Sequence, residues 1–206
     1  MTTFNPLRRL LLRTSALAAS MIAVPLAHAN PLPAESLYRL SVPLKDSQGR
    51  QFDWRALAGR PLLVTMFYGD CNAACPIIIE NLRRTVDQVK PAPGRLAVLM
   101  VSLDPLYDRP DSLAQLARLH KLDPAIFRLA VAANETHTRA MAGALQIKYR
   151  AVTNGEINHT TRVCLLDAGG KLLASSTQLS PLPDPAFVAQ ISLALNRGAT
   201  HTTDIS

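Results

Sequence analysis

The sequence predicts an α/β protein with a mixed central β-sheet, helices on both faces, and a C-terminal β-hairpin followed by a helix. Two continuous apolar runs, 61–68 and 96–102, are rich in strand-forming residues, and such runs are typical of strands covered on both faces. Each run precedes a segment whose apolar residues recur at helical spacing, which indicates helices packed on the sheet. Two later runs, 161–166 and 171–174, flank an Asp-Ala-Gly-Gly turn and indicate an antiparallel hairpin. Strand–helix alternation that ends in a hairpin is typical of a mixed sheet with a helical layer on each side.

The other elements follow in chain order. The segment 42–52 is predicted to form a short hairpin around an Asp46–Gly49 turn. Pro76 is well placed in the first turn of a helix, whose apolar face would be formed by Ile78, Ile79, Leu82 and Val86. Further helices are predicted over 111–120, capped by Asp111 or Ser112, over 136–145 and over 185–197, with a short strand over 127–131. This order best matches a thioredoxin-like domain over 42–197, with flexible segments at 30–41 and 198–206.

The first thirty residues differ in kind from the rest of the chain. Arg8, Arg9 and Arg13 are their only charges, an apolar stretch follows over 15–26, and Ala27-His28-Ala29 ends it with small residues. This pattern is typical of a cleaved signal peptide, because the apolar stretch is shorter than the roughly 20 residues that span a bilayer. We therefore expect cleavage after residue 29 and a soluble, periplasmic or otherwise exported protein without a membrane span. The Arg pair also fits a twin-arginine signal, although the general secretory route is the expected one.

The charge of the mature chain argues against a nucleic-acid partner. The full chain has 22 basic and 15 acidic residues, and removing the three arginines of the leader leaves 19 against 15, or +4. The basic residues do not cluster and aromatic residues are few. Mild, dispersed basicity of this kind is typical of a solvated surface and not of a nucleic-acid footprint.

Two cysteines form the predicted functional site. Cys71 and Cys75 lie where the first core strand is expected to meet a helix, and the positive potential of a helix N-terminus stabilises thiolate over thiol. A structural disulfide between them would close a very short loop and add little stability. Three interpretations remain for a redox-active or metal-binding dithiol: a thiol–disulfide oxidoreductase, a thiol peroxidase, or a site for a soft metal ion.

A third ligand would be needed to complete a metal site, and His159 is the candidate. His120 and His137 are expected on helices near the surface, and His201 lies in the tail, whereas His159 lies in a loop that leads directly into the C-terminal hairpin. In a thioredoxin-like topology this loop returns against the cysteine turn. Thioredoxin-type oxidoreductases usually have a cis-proline just before this strand, and residues 157–160 contain none. The absence favours a site that uses His159.

Several other residues near the expected site are interpreted as structural. Cys164 lies in an apolar strand and is expected to fill the core. Asp104 and Asp108 lie in a loop before a helix and are expected to be turn and cap residues. Trp54 and Tyr68 are expected to pack near the site.

These residues resemble the Sco/SenC family of copper-binding proteins, which take part in assembling cytochrome c oxidase. The strongest matches are Cys71-Asn-Ala-Ala-Cys75-Pro76 to the family's Cys-x-x-x-Cys-Pro and the segment 102–110 to its Ser-x-Asp-Pro-x-x-Asp-x-Pro. Asn158-His159-Thr160 stands where the family often has Asp-His-Thr or Asp-His-Ser. The resemblance covers nearly all of the mature chain and implies that Cys71, Cys75 and His159 are copper ligands.

The resemblance implies an exported copper metallochaperone and not an enzyme in the usual sense. It would bind a copper ion, as Cu(I) or Cu(II), and deliver it to a respiratory oxidase copper site or keep the cysteines of that site reduced. The implied partner is an apo copper protein such as a cytochrome c oxidase subunit, or another periplasmic copper or thiol protein. The alternative function is a thiol–disulfide oxidoreductase acting on a partner's cysteines, because the pair Cys71 and Cys75 can cycle through a disulfide.

Overall fold

A seven-stranded mixed sheet forms the centre of the protein. A computed structural model describes residues 32–69, 74–152 and 156–200. The strands are β1 (Pro43–Asp46), β2 (Gln51–Asp53), β3 (Leu62–Phe67), β4 (Ala97–Ser102), β5 (Phe127–Ala132), β6 (Tyr149–Ala151), β7 (Ile157–His159), β8 (Val163–Leu166) and β9 (Leu172–Ser176). The α-helices are α1 (Ala74–Val89), α2 (Pro110–Leu119), α3 (Glu135–Ala144) and α4 (Pro185–Thr200).

The strand order confirms the predicted thioredoxin-like α/β fold. The large sheet runs β2-β1-β5-β4-β3-β8-β9. Its three central strands β5, β4 and β3 are parallel, and the strands on either side of them are antiparallel. The parallel strands are connected by helices, as parallel connections require, and the C-terminal β8–β9 hairpin and α4 complete the chain.

The core lies around β3 and β4. Every residue of these two strands is buried, which explains why both read as continuous apolar runs in the sequence. The predicted apolar face of α1 is confirmed, since Ile78, Ile79 and Leu82 are each at most 2% exposed. Burial of each such side chain stabilises the fold by about 1.5–3 kcal/mol. Residue exposure therefore confirms that the helix after the cysteines is anchored in the core.

The segment before β1 differs from the flexible segment expected at 30–41. Leu37–Arg39 form a 3-10 helix capped by Ser36, and the backbone N–H of Leu37 donates to the carbonyl of Gly170 at 2.9 Å. Tyr38 is fully buried and stacks edge-on against Trp54, with ring centroids 5.5 Å apart. Burial of this aromatic pair holds the segment on the domain. The sequence did not predict this, because the residue pattern of the segment indicates neither a strand nor a helix.

Two helix boundaries also differ from the expected ones. The N-cap of α2 is Arg109, with Pro110 in the first turn, while Ser112 exchanges hydrogen bonds with the Arg109 backbone. Neither Asp111 nor Ser112 is therefore the N-cap. Helix α4 continues to Thr200, three residues beyond the predicted end at 197.

The structure also contains a small second sheet that the sequence did not predict. Strands β6 and β7 pair antiparallel, with Tyr149 opposite His159. His159 is therefore the last residue of a strand and not part of an irregular loop. The predicted signal peptide at 1–29 and residues 201–206 of the predicted tail lie outside the described residues. Within the described ranges, no helix combines the length and apolar character needed to cross a bilayer.

Candidate metal and thiol site

The end of β3 brings a histidine against the start of the cysteine turn. Tyr68 follows β3 directly, and its ring meets the imidazole of His159 edge-on, with centroids 6.0 Å apart and an interplanar angle of 84°. The antiparallel register of β8 on β3 explains this contact. Val163 lies opposite Thr65, and the same register continued for four residues would place His159 opposite Gly69. The His159 segment thus contacts the chain just before the cysteine turn, although 90 residues of sequence separate Gly69 from His159; its approach to the cysteines themselves stays a prediction.

Cys75 lies in the first turn of α1. It is the second residue of the helix and only 2% exposed. The free amide groups and positive potential of the helix N-terminus therefore act on this position. Pro76 is third in the helix, where a missing N–H costs nothing. Cys71 lies outside the described residues, so its side chain has no structural account.

The environment of His159 favours a neutral imidazole with one ring nitrogen available. Nδ1 lies 3.3 Å from the carbonyl oxygen of Thr160. Because a carbonyl oxygen only accepts, this contact requires the Nδ1–H tautomer and leaves the Nε2 lone pair for another partner. Burial lowers the pKa of His159 below its usual value, and the hydrogen bond to Thr160 opposes this only in part. A neutral imidazole is the form that binds metal ions.

A buried carboxylate holds the residue at which the cysteine turn begins. The backbone N–H of Gly69 donates to Oδ2 of Asp108 at 2.9 Å, and the hydroxyl of Ser102 donates to the same oxygen at 2.5 Å. A Cβ added at Gly69 would lie 2.2 Å from Oδ1 of Asp108, so only glycine allows this close approach. Asp108 therefore connects the end of β4 to the chain two residues before Cys71.

The turn over 102–108 is built to present this carboxylate. The backbone N–H of Asp104 donates to the Ser102 hydroxyl at 2.9 Å, and the N–H of Asp108 donates to the carbonyl of Asp104 at 3.0 Å. Asp108 is only 9% exposed. The expectation that Asp108 is a turn or cap residue is incomplete, because its side chain also accepts a hydrogen bond from Gly69, two residues before Cys71. The segment's match to a family motif was the sequence signal for this role.

The remaining candidate residues lie apart from this site. Cys164 is fully buried in β8, as expected, and burial raises the pKa of its thiol. His120 is the C-cap of α2, and His137, which is half-buried in the first turn of α3, has its Nδ1 2.9 Å from the side-chain oxygen of Asn134. Trp54 packs on Tyr38 and donates its indole N–H to the carbonyl of Leu40; neither partner belongs to the site.

The described side chains supply part of a soft-metal donor set. Cys75 offers sulfur and His159 offers an imidazole nitrogen, a combination suited to copper or zinc. No group of three or more His, Cys, Asp or Glu side chains with metal-binding geometry occurs among the described residues. The predicted three-ligand set is not tested by this finding, because Cys71 is one of its members.

Comparisons with known proteins agree with the fold. The family model described as SCO1/SenC matches residues 37–192. Arabidopsis thaliana ScoI with copper bound is 13% identical, over 79% of this chain and 98% of that chain, with a TM-score of 0.63. A SCO1/SenC family lipoprotein from Bacillus anthracis is 18% identical over 78% and 94%, with a TM-score of 0.66. A proposed electron transfer protein from Aquifex aeolicus is 21% identical over 82% and 95%, with a TM-score of 0.68. No curated protein matches the chain.

Proposed function

The chain belongs to the SCO1/SenC family, and from its site we propose that it is an exported copper-binding metallochaperone that holds copper through Cys71, Cys75 and His159. We propose further that it delivers copper to a respiratory oxidase copper site or keeps the cysteines of that site reduced. The metal is cargo in this function, so the site must bind it and also release it to a partner.

The position of His159 is the observation that carries the proposal. Its imidazole lies against Tyr68. In the sequence, Tyr68 is one residue before Gly69 and three residues before Cys71. Burial and the contact with Thr160 favour the neutral Nδ1–H tautomer, so Nε2 is the nitrogen that would bind copper. Imidazole binds both Cu(I) and Cu(II), whereas a thioether or a carboxylate at this position would suit only one of the two oxidation states.

The charges of the proposed centre also fit the helix that supports it. Two thiolates and one Cu(I) ion carry a net charge of −1, and the N-terminus of α1 carries roughly +0.5 of an elementary charge. Cys75 lies in the first turn of that helix, where this potential acts most strongly. Copper would move to the partner by ligand exchange, in which a cysteine or histidine of the partner replaces one of these ligands at a time.

Relatives with the same fold support copper as the cargo. The Arabidopsis thaliana and Bradyrhizobium japonicum ScoI proteins and yeast Sco1 were each solved with copper bound. BsSco is described as a member of the Sco family of cytochrome c oxidase assembly proteins and as having a disulfide switch. A disulfide switch also fits the alternative function, which is thiol–disulfide exchange with a partner's cysteines. The placement of Cys75 in the first turn of α1 favours this function as well.

One titration separates these two functions. Reduced protein is titrated with Cu(I) in competition with a chromophoric chelator, and the His159→Ala variant is compared with His137→Ala as a matched control. We expect one copper per chain, a loss of at least tenfold in affinity for His159→Ala, and an unchanged affinity for His137→Ala. An unchanged affinity for His159→Ala, together with rapid reduction of a disulfide substrate, would favour the oxidoreductase and contradict the metallochaperone.

Delivery needs a separate measurement. Copper-loaded protein is mixed with the apo form of a soluble copper-binding domain of a cytochrome c oxidase subunit, and copper in each protein is measured after separation. We expect transfer with the wild type and slow or no transfer from a copper–chelator complex of equal affinity. Equal rates from both donors would contradict a delivery role. Export is tested by locating the mature chain and determining its first residue.

A further inference from the structure

An exposed apolar loop lies beside the start of the cysteine turn, directly after β4. This segment, 103–107, is called here the β4 loop. Strand β4 is parallel to β3, and their register pairs the last residues of the two strands, so both strands end at the same level. Tyr107 and Gly69 line one cavity of about 310 Å³, which places the loop next to the end of β3. Leu106 and Tyr107 are each 79% exposed, so the loop presents two large apolar side chains to solvent.

A second exposed apolar loop reaches the same end of the sheet after β9. This segment, 177–183, is called here the β9 loop. Strand β9 is antiparallel to β8, which is antiparallel to β3, so β9 and β3 run in the same direction. Leu179 and Leu182 in the β9 loop are 52% and 60% exposed. Because β3 lies between β4 and β8 in the sheet, the two loops lie on opposite sides of the point where the cysteine turn leaves β3.

Hydrogen bonds from α1 hold the β9 loop in place while its leucines stay exposed. The side-chain amide of Asn81 donates to the backbone carbonyls of Ser180 and Leu182, both at 2.8 Å. Asn81 follows Cys75 by six residues in α1, which corresponds to about 9 Å along the helix axis. The helix that carries Cys75 therefore also fixes the β9 loop, at a short distance from the proposed copper site.

The composition of the two loops is typical of the centre of a protein interface. The β9 loop contains no charged residue, and the β4 loop contains only Asp104. Four of the seven large hydrophobic side chains that are exposed in the described part of the chain lie in these loops. A fifth, Leu119, lines the same cavity as Gly69 and Tyr107. Interface centres are depleted of charge and enriched in tyrosine, and exposed apolar side chains that cluster around a site indicate a contact surface.

We propose that the β4 and β9 loops form the docking surface for the protein that exchanges copper with the proposed site, and that this protein meets them with an apolar surface around its own copper ligands. The inference rests on the proposed function, because ligand exchange brings a donor atom of the partner into bonding distance of the copper. A partner that reaches copper at this end of the sheet has to cover the loops on both sides. The near absence of charge in the loops leaves few ion pairs to form, so the matching surface is apolar.

The test measures copper transfer by the full chain and by three double variants. The variants alter the β4 loop, the β9 loop and, as a matched control, two exposed leucines outside both loops; they are Leu106→Gln/Tyr107→Gln, Leu179→Gln/Leu182→Gln and Leu32→Gln/Leu193→Gln. Reduced protein loaded with Cu(I) is mixed with increasing concentrations of the apo form of a soluble copper-binding domain of a cytochrome c oxidase subunit. In parallel, it is mixed with a small chromophoric chelator, which needs no docking surface.

We expect both loop variants to bind copper with the affinity of the wild type and to need a domain concentration higher by about tenfold or more for half-maximal transfer. The control variant should stay within about twofold of the wild type, and transfer to the chelator should be unchanged in all variants. A wild-type concentration dependence in the loop variants, or an equal loss of rate to the domain and to the chelator, overturns the docking surface.

Direct binding separates this inference from the proposed function. A wild type that binds no copper would contradict the metallochaperone, whereas the affinity of the copper-free chain for the same domain, measured by biolayer interferometry, still tests the docking surface. We expect the same loss in the loop variants, and no binding by the wild type overturns the inference. A wild-type dimer in light scattering that both loop variants lose also overturns it, because a second copy would then cover the loops. If a double variant unfolds early in urea, Tyr107→Gln or Leu182→Gln alone is used, since both side chains are exposed.

Discussion

Replacing Asp108 by alanine tests whether the buried carboxylate supports the cysteine turn. The substitution removes the acceptor of two hydrogen bonds, from the Gly69 backbone and from the Ser102 hydroxyl. Hydrogen bonds to charged groups contribute about 1.5–3 kcal/mol each, and buried donors left without a partner are costly. Ser102 is fully buried, so its hydroxyl cannot turn to water. With two such bonds lost, we therefore expect the free energy of unfolding to fall by about 3–6 kcal/mol.

The same substitution should also weaken copper binding, although Asp108 is not a proposed ligand. Gly69 lies two residues before Cys71, and without its bond to Asp108 the start of the cysteine turn loses its fixed position. Residues that orient metal ligands without touching the metal typically contribute about 10–100-fold to affinity. We expect a loss in this range in the competition titration with Cu(I).

Asp104→Ala is the matched control for Asp108→Ala. The hydrogen bonds of Asp104 in this turn come from its backbone, so its side chain can be removed without breaking them. Unfolding in urea and the copper titration are measured for both variants. A loss of stability in Asp108→Ala with copper affinity equal to that of Asp104→Ala would refute the positioning role. Equal stability of the two variants would refute the hydrogen-bond reasoning itself.

Two further substitutions test the surroundings of the site and of the β8–β9 turn. Tyr68→Ala removes the ring that covers His159. Because burial lowers the pKa of His159, we expect that pKa to rise toward the ordinary value of about 6.5 in NMR titration of the apo protein. An unchanged or lower pKa would contradict burial as the cause. Gly170→Ala places a Cβ 2.4 Å from the Tyr38 ring at a φ of +84°, so we expect a greater loss of unfolding free energy in urea than for Gly49→Ala, where φ is +77° and no atom lies within 4 Å. Equal losses would show that backbone strain alone matters.

The parts of the fold that the sequence predicted are those encoded by local residue patterns. The buried strands β3 and β4 appear in the sequence as continuous apolar runs, and α1 appears as an amphipathic helix because its apolar residues recur over several turns. Strands β6 and β7 have only three residues each, too few for a period to be recognised. They form through pairing with each other, which a single segment does not encode.

The sequence predicted candidate site residues where a reactive side chain lies at the boundary of a strand or a helix. Cys75 marks a strand–helix junction, and His159 precedes the C-terminal hairpin, so topology alone brings both to one end of the sheet. The contribution of Asp108 was underestimated, because its bond to Gly69 joins residues 39 positions apart. A carboxylate in a turn looks the same in sequence whether it bonds its own turn or a distant backbone.

The register between β3 and β8 connects the stability of the sheet to the geometry of the site. His159 reaches the end of β3 because Val163 pairs with Thr65, and the Thr65 hydroxyl reinforces this register by donating to the carbonyl of Arg162 at 2.7 Å. A shift of one residue would move the chain by ~3.3 Å and turn each side chain to the other face, whereas metal ligands tolerate errors of only about 0.2 Å. The proposed copper site would thus depend on buried contacts that touch none of its proposed ligands, and Thr65, fully buried in the middle of β3, supports the position of His159 from four residues before Gly69.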